Sequence, residues 1–181
     1  MKISQDWSPS ELGRELLRTA SSGPNGSAGT YGRSVAGAAL RFFALGRGRR
    51  RLLLTAAHHA NEWITAPLLL RFAGELAAGV WPGALDGTRV FFAPLVNPDG
   101  ARLVTGELAS GPLFENARRI AEKYPDIPFP DGWKANLRGV DLNLQYPAGW
   151  EEAKKIKFAA GWTGPAPRDY VGAAPLCAPE A

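Results

Sequence analysis

The spacing of apolar side chains near the start of the chain predicts an amphipathic helix. Leu12, Leu16, Leu17 and Ala20 recur at helical intervals and would lie on one face. Residues 8–11 read Ser-Pro-Ser-Glu, which is a capping box with proline at the first helical position. The two signals agree, so we expect a helix that begins within this box.

Two unbroken apolar runs, residues 52–57 and residues 90–96, predict strands buried on both faces. Pro67 lies between them, and proline is tolerated only in the first turn of a helix. A helix should therefore begin near residue 65 or 66 and end near residue 78. A strand, a helix and a strand in this order predict a crossover unit. The expected fold class is α/β, with a mixed, mostly parallel sheet flanked by helices.

The remaining segments predict shorter elements. Residues 31–45 should contain two strands broken near Gly37, followed by a hairpin turn at residues 46–48. Residues 110–124 carry apolar side chains along one side and predict a surface helix. Residues 161–181 are rich in proline and alanine, and we expect them to be irregular and weakly folded.

The length and composition are those of one globular domain. The chain has 181 residues, of which 45% are hydrophobic and 21% charged, and no repeat or boundary divides residues 1–181. No apolar stretch approaches the ~20 residues that span a bilayer, and the N-terminus lacks the apolar segment of a secretory signal. Cys177 is the single cysteine, which is compatible with a reducing compartment. These features favour a cytoplasmic protein.

The chain is mildly basic, with a net charge of +4. Arg47, Arg49, Arg50 and Arg51 cluster before the first apolar run, and such a cluster could bind nucleic acid. No aromatic residues are interleaved with them, so a solvated loop is the better interpretation. We therefore expect neither a nucleic acid nor a membrane as a partner, whereas a basic surface would suit anionic peptides.

A histidine and a glutamate follow the first apolar run at a spacing suited to a metal. His59 and Glu62 would lie on the turn between strand and helix, where α/β folds commonly place their sites. The alternative is a hydrogen-bonded histidine beside an unrelated surface glutamate. His58 should point to the opposite side from His59, because side chains alternate along a strand.

Three motifs in this order resemble the carboxypeptidase A-like zinc metallopeptidases. They are residues 59–63 (His-Ala-Asn-Glu-Trp), residues 97–100 (Asn-Pro-Asp-Gly) and residues 136–143 (Asn-Leu-Arg-Gly-Val-Asp-Leu-Asn). Residues 59–65 and 133–143 most resemble the branch that cuts the γ-D-glutamyl–diaminopimelate bond of bacterial cell-wall peptides. The resemblance implies a hydrolase that uses Zn²⁺ and acts on a peptide derived from peptidoglycan.

The resemblance also implies roles for individual residues. His59 and Glu62 match the first two zinc ligands, and Arg138 matches the arginine that stabilises the developing oxyanion. Asn143 matches the asparagine that holds polar groups at the substrate terminus. Leu144 departs from the family, which usually has an arginine here to clamp the terminal carboxylate. The alternatives are a surface arginine for Arg138 and a turn-capping asparagine for Asn143.

Residues 97–100 are also a strong turn sequence, and this is the favoured interpretation over a role for Asp99 in orienting a ligand. Trp133 and Trp150 flank the arginine segment. Core packing is the commoner position for tryptophan, and a wall of the substrate cleft is the alternative.

The family's third zinc ligand, a histidine, and its general-base glutamate have no counterpart here. The chain has two histidines, His58 and His59, and the late carboxylates of Glu151, Glu152 and Glu180 lack the sheet context that the base requires. Catalytic zinc typically has three protein ligands. We therefore expect this chain to be either the N-terminal part of a longer family domain or a truncated gene product, and to be inactive alone.

The expected function is that of a zinc-dependent peptidase acting on γ-D-glutamyl–diamino acid bonds. One alternative is a small-molecule amide deacylase of the same superfamily, although these usually lack the block at residues 133–143. Another is a non-catalytic protein that binds peptidoglycan peptides.

Overall fold

The computed structural model describes residues 8–181, and the chain forms two compact units. The first comprises the described residues up to 32, residues 39–57 and residues 63–96. The second comprises residues 33–38, 58–62 and 97–181. No helix within residues 8–181 is long and apolar enough to cross a membrane.

The first helix, α1, spans Pro9–Ser22 and begins with the predicted capping box. The hydroxyl of Ser8 accepts a hydrogen bond from the backbone N–H of Glu11 at 3.2 Å. The Glu11 carboxylate in turn accepts from the Ser8 N–H at 3.1 Å. Leu12, Leu16 and Ala20 are buried, so this prediction is confirmed.

Four strands form a mixed sheet in the first unit, which confirms the expected fold class. They are β1 (Ser27–Arg33), β2 (Ala39–Gly46), β3 (Arg50–Thr55) and β4 (Thr88–Ala93). Their order across the sheet is β1-β2-β4-β3. Strand β2 pairs antiparallel with β4, and β3 pairs parallel with β4.

The crossover between the two parallel strands is confirmed. Helix α2 spans Thr65–Ala77 and connects β3 to β4, with Pro67 in its first turn. The same sheet order corrects one prediction, because β4 lies between β2 and β3 and the turn at residues 46–48 therefore does not close a hairpin. A Cβ on Gly48 would approach the carbonyl carbon of Gly87 to 2.0 Å, so the close approach of these segments requires glycine.

The core of the first unit lies between one face of the sheet and helices α1 and α2. The rings of Phe43 and Phe92 stack with their centroids 4.7 Å apart. Leu12 of α1 and Leu70 of α2 belong to the same buried cluster. Aromatic pairs and buried leucines of this kind supply most of the stabilisation in such a unit.

The prediction that residues 52–57 form a strand buried on both faces was wrong. Leu52 and Leu53 are 53% and 66% exposed. Strand β3 lies at the edge of the described sheet and pairs with β4 on one side. A continuous apolar run indicates a strand, but it does not reveal which neighbouring elements cover that strand.

The second unit is built on three helices, α3 (Pro98–Val104), α4 (Pro112–Ala121) and α5 (Trp150–Ala159). Helix α4 confirms the predicted surface helix, whereas α5 was not predicted. A separate buried cluster includes Leu103, Ala117, Trp133 and Leu137. Trp133 and Trp150 are both buried, as is usual for tryptophan, and neither forms an exposed wall.

The turn predicted at residues 97–100 is instead the start of α3. The Asn97 side chain caps the helix by accepting from the Gly100 N–H at 3.0 Å, and Pro98 occupies the first turn. Turn sequences and helix starts share these residue types, because both satisfy free backbone N–H groups. Asp99 is fully buried and accepts from the Ala36 N–H at 2.7 Å, which is a structural role.

The C-terminal segment is irregular, as predicted, but it is not weakly folded. The carbonyl of Pro167 accepts from the N–H groups of Lys134 and Ala135 at 2.8 and 2.9 Å. The Tyr170 carbonyl accepts from the Asp141 N–H at 2.9 Å. The buried Glu180 carboxylate accepts from the Val35 N–H and the Asn136 amide, both at 3.0 Å. Prolines prevent regular structure here, but their carbonyls remain available as acceptors.

Exposure along β3 can be tested with one pair of matched substitutions. Leu70→Ala should lower the free energy of unfolding by about 2–5 kcal/mol, because it leaves a cavity in the core. Leu53→Ala, the same chemical change on β3, should cost about 0.5 kcal/mol or less. Urea denaturation followed by circular dichroism measures both. A cost for Leu53→Ala equal to that for Leu70→Ala would show that β3 is covered.

Candidate metal centre

The site begins where the chain turns sharply after β3. Ala57 has a φ of +52°, in the left-handed region that residues with a Cβ rarely adopt. Its N–H donates to the Thr65 hydroxyl at 2.9 Å, which holds this bend. Strain of about 1–3 kcal/mol per residue is typical of such a conformation and often accompanies functional sites.

A short 3₁₀ turn, Ala60–Glu62, follows His59 and carries the glutamate. The Glu62 N–H donates to the His59 carbonyl at 3.1 Å. In 3₁₀ geometry, residues three apart lie on the same side. His59 and Glu62 are therefore brought together by local backbone geometry, and the side chains converge as the spacing predicted.

The segment at residues 133–135 clamps this turn within the second unit. The Ala60 N–H donates to the Lys134 carbonyl at 3.0 Å, and the Asn61 N–H donates to the Trp133 carbonyl at 3.1 Å. The Asn97 amide donates to the carbonyls of His58 and Ala135 at 3.2 and 3.0 Å. The backbone that carries the two candidate ligands is thus fixed from several directions.

The His59 ring lies between two carboxylates. Its Nδ1 is 3.1 Å from Oε1 of Glu62, and its Nε2 is 3.2 Å from Oδ1 of Asp141. The hydrogen bond to Asp141 is the largest influence on His59 and raises its pKa above 6.5, against the opposing effect of burial. A ring held at both nitrogens has a fixed orientation.

Asp141 is buried, and backbone donors help to hold its carboxylate in place. Besides the His59 contact, Oδ1 accepts from the Asn143 N–H at 3.2 Å and Oδ2 accepts from the Asp169 N–H at 3.1 Å. Burial would raise the pKa of Asp141, but its hydrogen bonds, above all that from His59, outweigh burial and lower it. Lys157 forms a 2.5 Å ion pair with Asp169, which steadies this donor.

Glu62 is more exposed than Asp141 and has a cationic neighbour. Its Oε1 lies 3.1 Å from Nζ of Lys134 as well as 3.1 Å from Nδ1 of His59. Partial burial opposes ionisation, but the hydrogen bonds from Lys134 and His59 lower the pKa of Glu62 overall.

His58 faces a different partner. Its Nε2 lies 2.7 Å from the Tyr146 hydroxyl, and the two rings meet edge to face. Burial, followed by the charge of His59, lowers the pKa of His58 below 6.5. Burial also raises the pKa of Tyr146. The structure thus places the two histidines in different environments. Both lie in a bend beyond the end of β3, so the alternation along a strand that was the basis of the prediction does not apply here.

Arg138, Asn143 and Leu144 were also singled out from the sequence. The side chains of Arg138 and Asn143 are exposed, and the Asn143 N–H donates to Oδ1 of Asp141, the carboxylate that also contacts His59. Leu144 is half-buried. The roles of Arg138 and Asn143 therefore stay predictions.

The contacts of Lys134 and Asp141 with the proposed ligands were not predicted from the sequence, where both residues were named only as part of a motif. Lys134 lies 72 residues from Glu62, so no local pattern links them. A signal for Asp141 did exist, because an aspartate that accepts from the N–H two residues later is a recognisable turn motif.

The donor set fits zinc in part. An imidazole nitrogen and a carboxylate oxygen face each other, and both are common zinc ligands. Residues 8–181 contain no group of three histidine, cysteine, aspartate or glutamate side chains arranged to hold a metal. The described part of the chain therefore supplies two candidate ligands, one fewer than is typical of catalytic zinc.

Comparison with known proteins shows the family to which the chain belongs. The sequence profile of the zinc carboxypeptidase family matches residues 16–181, which is most of the chain. The chain belongs to the zinc carboxypeptidase family. The profile match covers the 3₁₀ turn, Lys134 and Asp141, so the site lies inside the region that defines the family.

Two curated proteins and one solved structure are similar to this chain. The chain is 38% identical over 160 residues to gamma-D-glutamyl-L-diamino acid endopeptidase 1 of Lysinibacillus sphaericus, covering 83% of this chain and 39% of that protein. It is 33% identical over 200 residues to YqgT of Bacillus subtilis, covering 99% and 51%. Carboxypeptidase A from Helicoverpa armigera shares the fold with a TM-score of 0.68 at 19% identity, covering 96% and 40%. The chain spans about half, or less, of the length of these proteins.

Opposite pKa displacements of the two histidines give a direct test of the site in the metal-free chain. In an NMR titration, the pKa of His59 should lie above 6.5 and the pKa of His58 should lie below it. Asp141→Asn should lower the pKa of His59, because the ring loses a carboxylate partner. The contribution of the His59 contacts to the free energy of unfolding should be fully present below pH 6.5. It should fall as the pH rises through the elevated pKa of His59. Equal pKa values for the two rings would refute the described contacts.

Proposed function

We propose that this chain contributes two zinc ligands, His59 and Glu62, to a metallopeptidase that hydrolyses γ-D-glutamyl–diamino acid bonds of cell-wall peptides. The proposal depends above all on one observation: Nδ1 of His59 faces Oε1 of Glu62 at 3.1 Å while Nε2 is held by Asp141. Membership of the zinc carboxypeptidase family supports the choice of metal.

Asp141 selects the form of His59 that can bind a metal. When Nε2–H donates to the carboxylate, the lone pair of Nδ1 is directed toward Glu62. Two electron-rich atoms at this distance favour a cation between them. Nδ1 of His59 and Oε1 of Glu62 would hold zinc, which, when bound, polarises an amide carbonyl and lowers the pKa of a water molecule.

The substrate class is supported by one relative and one departure from the family pattern. The relative that is 38% identical is named as a gamma-D-glutamyl-L-diamino acid endopeptidase. Leu144 stands where an arginine usually clamps a terminal carboxylate, and an apolar side chain cannot compensate a buried charge. His58, which is adjacent to His59, and Tyr146, which is two residues from Leu144, form a partly exposed pair of neutral polar groups. Such a site suits a peptide read by several polar groups.

Zinc titration of the metal-free chain tests the proposed ligands. We expect weak binding that His59→Ala abolishes and that Asp141→Asn weakens by about 10–100-fold, because Asp141 orients the ligand. His58→Ala is the matched control and should bind like wild type. Because two ligands fall short of three, the 181-residue chain should not hydrolyse peptides. Binding that depends on His58 and not on His59 would reject the assignment.

Specificity can be examined by placing the missing cation at position 144. Leu144→Arg should strengthen binding of a simple peptide with a free C-terminal carboxylate by about tenfold, in the range of a charged hydrogen bond. Binding of γ-D-glutamyl-diaminopimelate peptide should change far less. Isothermal titration of both peptides to the zinc-loaded wild type and variant provides the comparison. Wild-type preference for the simple peptide would contradict the proposed substrate.

A further inference from the structure

The Lys134 ammonium lies on the oxygen that a metal at this site would need. Its Nζ is 3.1 Å from Oε1 of Glu62, the same atom that faces Nδ1 of His59 at 3.1 Å. An ammonium group and a divalent cation on the same oxygen would compete, since like charges only a few ångströms apart repel each other. The Lys134 ammonium would therefore weaken the binding of a metal between His59 and Glu62.

Lys134 is held in place by its backbone and is not a chance surface contact. Its N–H donates to the Pro167 carbonyl at 2.8 Å, and its carbonyl accepts from the Ala60 N–H at 3.0 Å. Its neighbours Trp133 and Ala135 are fully buried, whereas its own side chain is 21% exposed. The Cα atom is thus fixed beside the turn that carries Glu62, and the flexible stem alone can move.

Arg138, the other cation of this segment, is placed differently. Its backbone N–H donates to the Asn136 side chain at 3.0 Å, but its guanidinium is exposed to solvent. The ion pairs described for Glu62 are those with His59 and Lys134. Of the two cations, Lys134 is the one within reach of the proposed ligands.

We propose that Lys134, and not Arg138, is the cation that serves this site. It competes with a divalent metal for Oε1 of Glu62, and once displaced it donates a hydrogen bond to an anionic oxygen of the bound substrate. A lysine can make both contacts, with Glu62 and with the substrate oxygen, because its ammonium has three donors on a flexible four-carbon stem. A charge-assisted donor of this kind stabilises an oxygen that becomes negative during hydrolysis. The inference rests on the proposed function.

The first half of the proposal is tested by zinc affinity in the full chain. Lys134→Met retains the unbranched stem and removes the charge, so it should tighten zinc binding about two- to fivefold, as expected for loss of a partly exposed competing ion pair. Arg138→Met removes a charge nearby in sequence and should leave the affinity unchanged. Lys134→Arg keeps a competing cation and should bind no more tightly than wild type. Isothermal titration measures all four proteins.

The outcomes separate this inference from the proposed function. If wild type binds zinc through His59 but Lys134→Met binds no more tightly than Arg138→Met, the role of Lys134 is refuted and the ligand assignment stands. If millimolar zinc shows no binding dependent on His59 in any variant, both proposals fail. Equal tightening in both methionine variants would show a general charge effect and would also refute the specific role of Lys134.

The second half is tested with methylphosphonate, a tetrahedral anion, added to the zinc-loaded proteins. Binding followed by ³¹P NMR should weaken about tenfold in Lys134→Met, in the range of a lost charged hydrogen bond. It should be largely retained in Lys134→Arg and unchanged in Arg138→Met. A loss in Arg138→Met with none in Lys134→Met would assign the anion contact to Arg138. Absence of binding in wild type would likewise overturn this half.

Discussion

The buried carboxylate of Asp141 fixes the ring on which the proposed site depends. It accepts from Nε2 of His59 and from the backbone N–H groups of Asn143 and Asp169. A buried carboxylate without such donors would be strongly disfavoured, so these hydrogen bonds keep it ionised and in place. The carboxylate then determines which nitrogen of His59 carries a proton and therefore which one can face Glu62. Substitution here would disturb the site without removing a proposed ligand.

Hydrogen bonds between backbone segments hold the rest of the site. The turn Ala60–Glu62 is bound by the carbonyls of Trp133 and Lys134, and Lys134 is bound in turn by Pro167 in the C-terminal segment. The irregular tail is therefore part of the support for the ligands. The same chain of contacts places the Lys134 ammonium on Glu62. The Lys134 ammonium and the hydrogen bonds of the His59 ring offset the negative charge of the two carboxylates.

Features set by local chemistry were predictable from the sequence, and those set by distant neighbours were not. The capping box at Ser8 and the position of Pro67 predicted the starts of α1 and α2, because each acts within one helical turn. The spacing of His59 and Glu62 likewise predicted their convergence. The exposure of β3 depends on which strands flank it, and periodicity carries no such information. Lys134 reaches Glu62 across 72 residues and was missed for the same reason.

The proposed metal site is tested most directly by measuring the protonation and metal coordination of each ring nitrogen of His59. Long-range ¹H–¹⁵N correlation spectra of the zinc-loaded chain report both nitrogens of each histidine separately. The proposed site predicts that Nε2 of His59 carries the proton shared with Asp141, that Nδ1 shows the shift of a metal-bound nitrogen, and that the His58 nitrogens are unchanged by zinc. Coordination through Nε2 of His59, or through either nitrogen of His58, would contradict it.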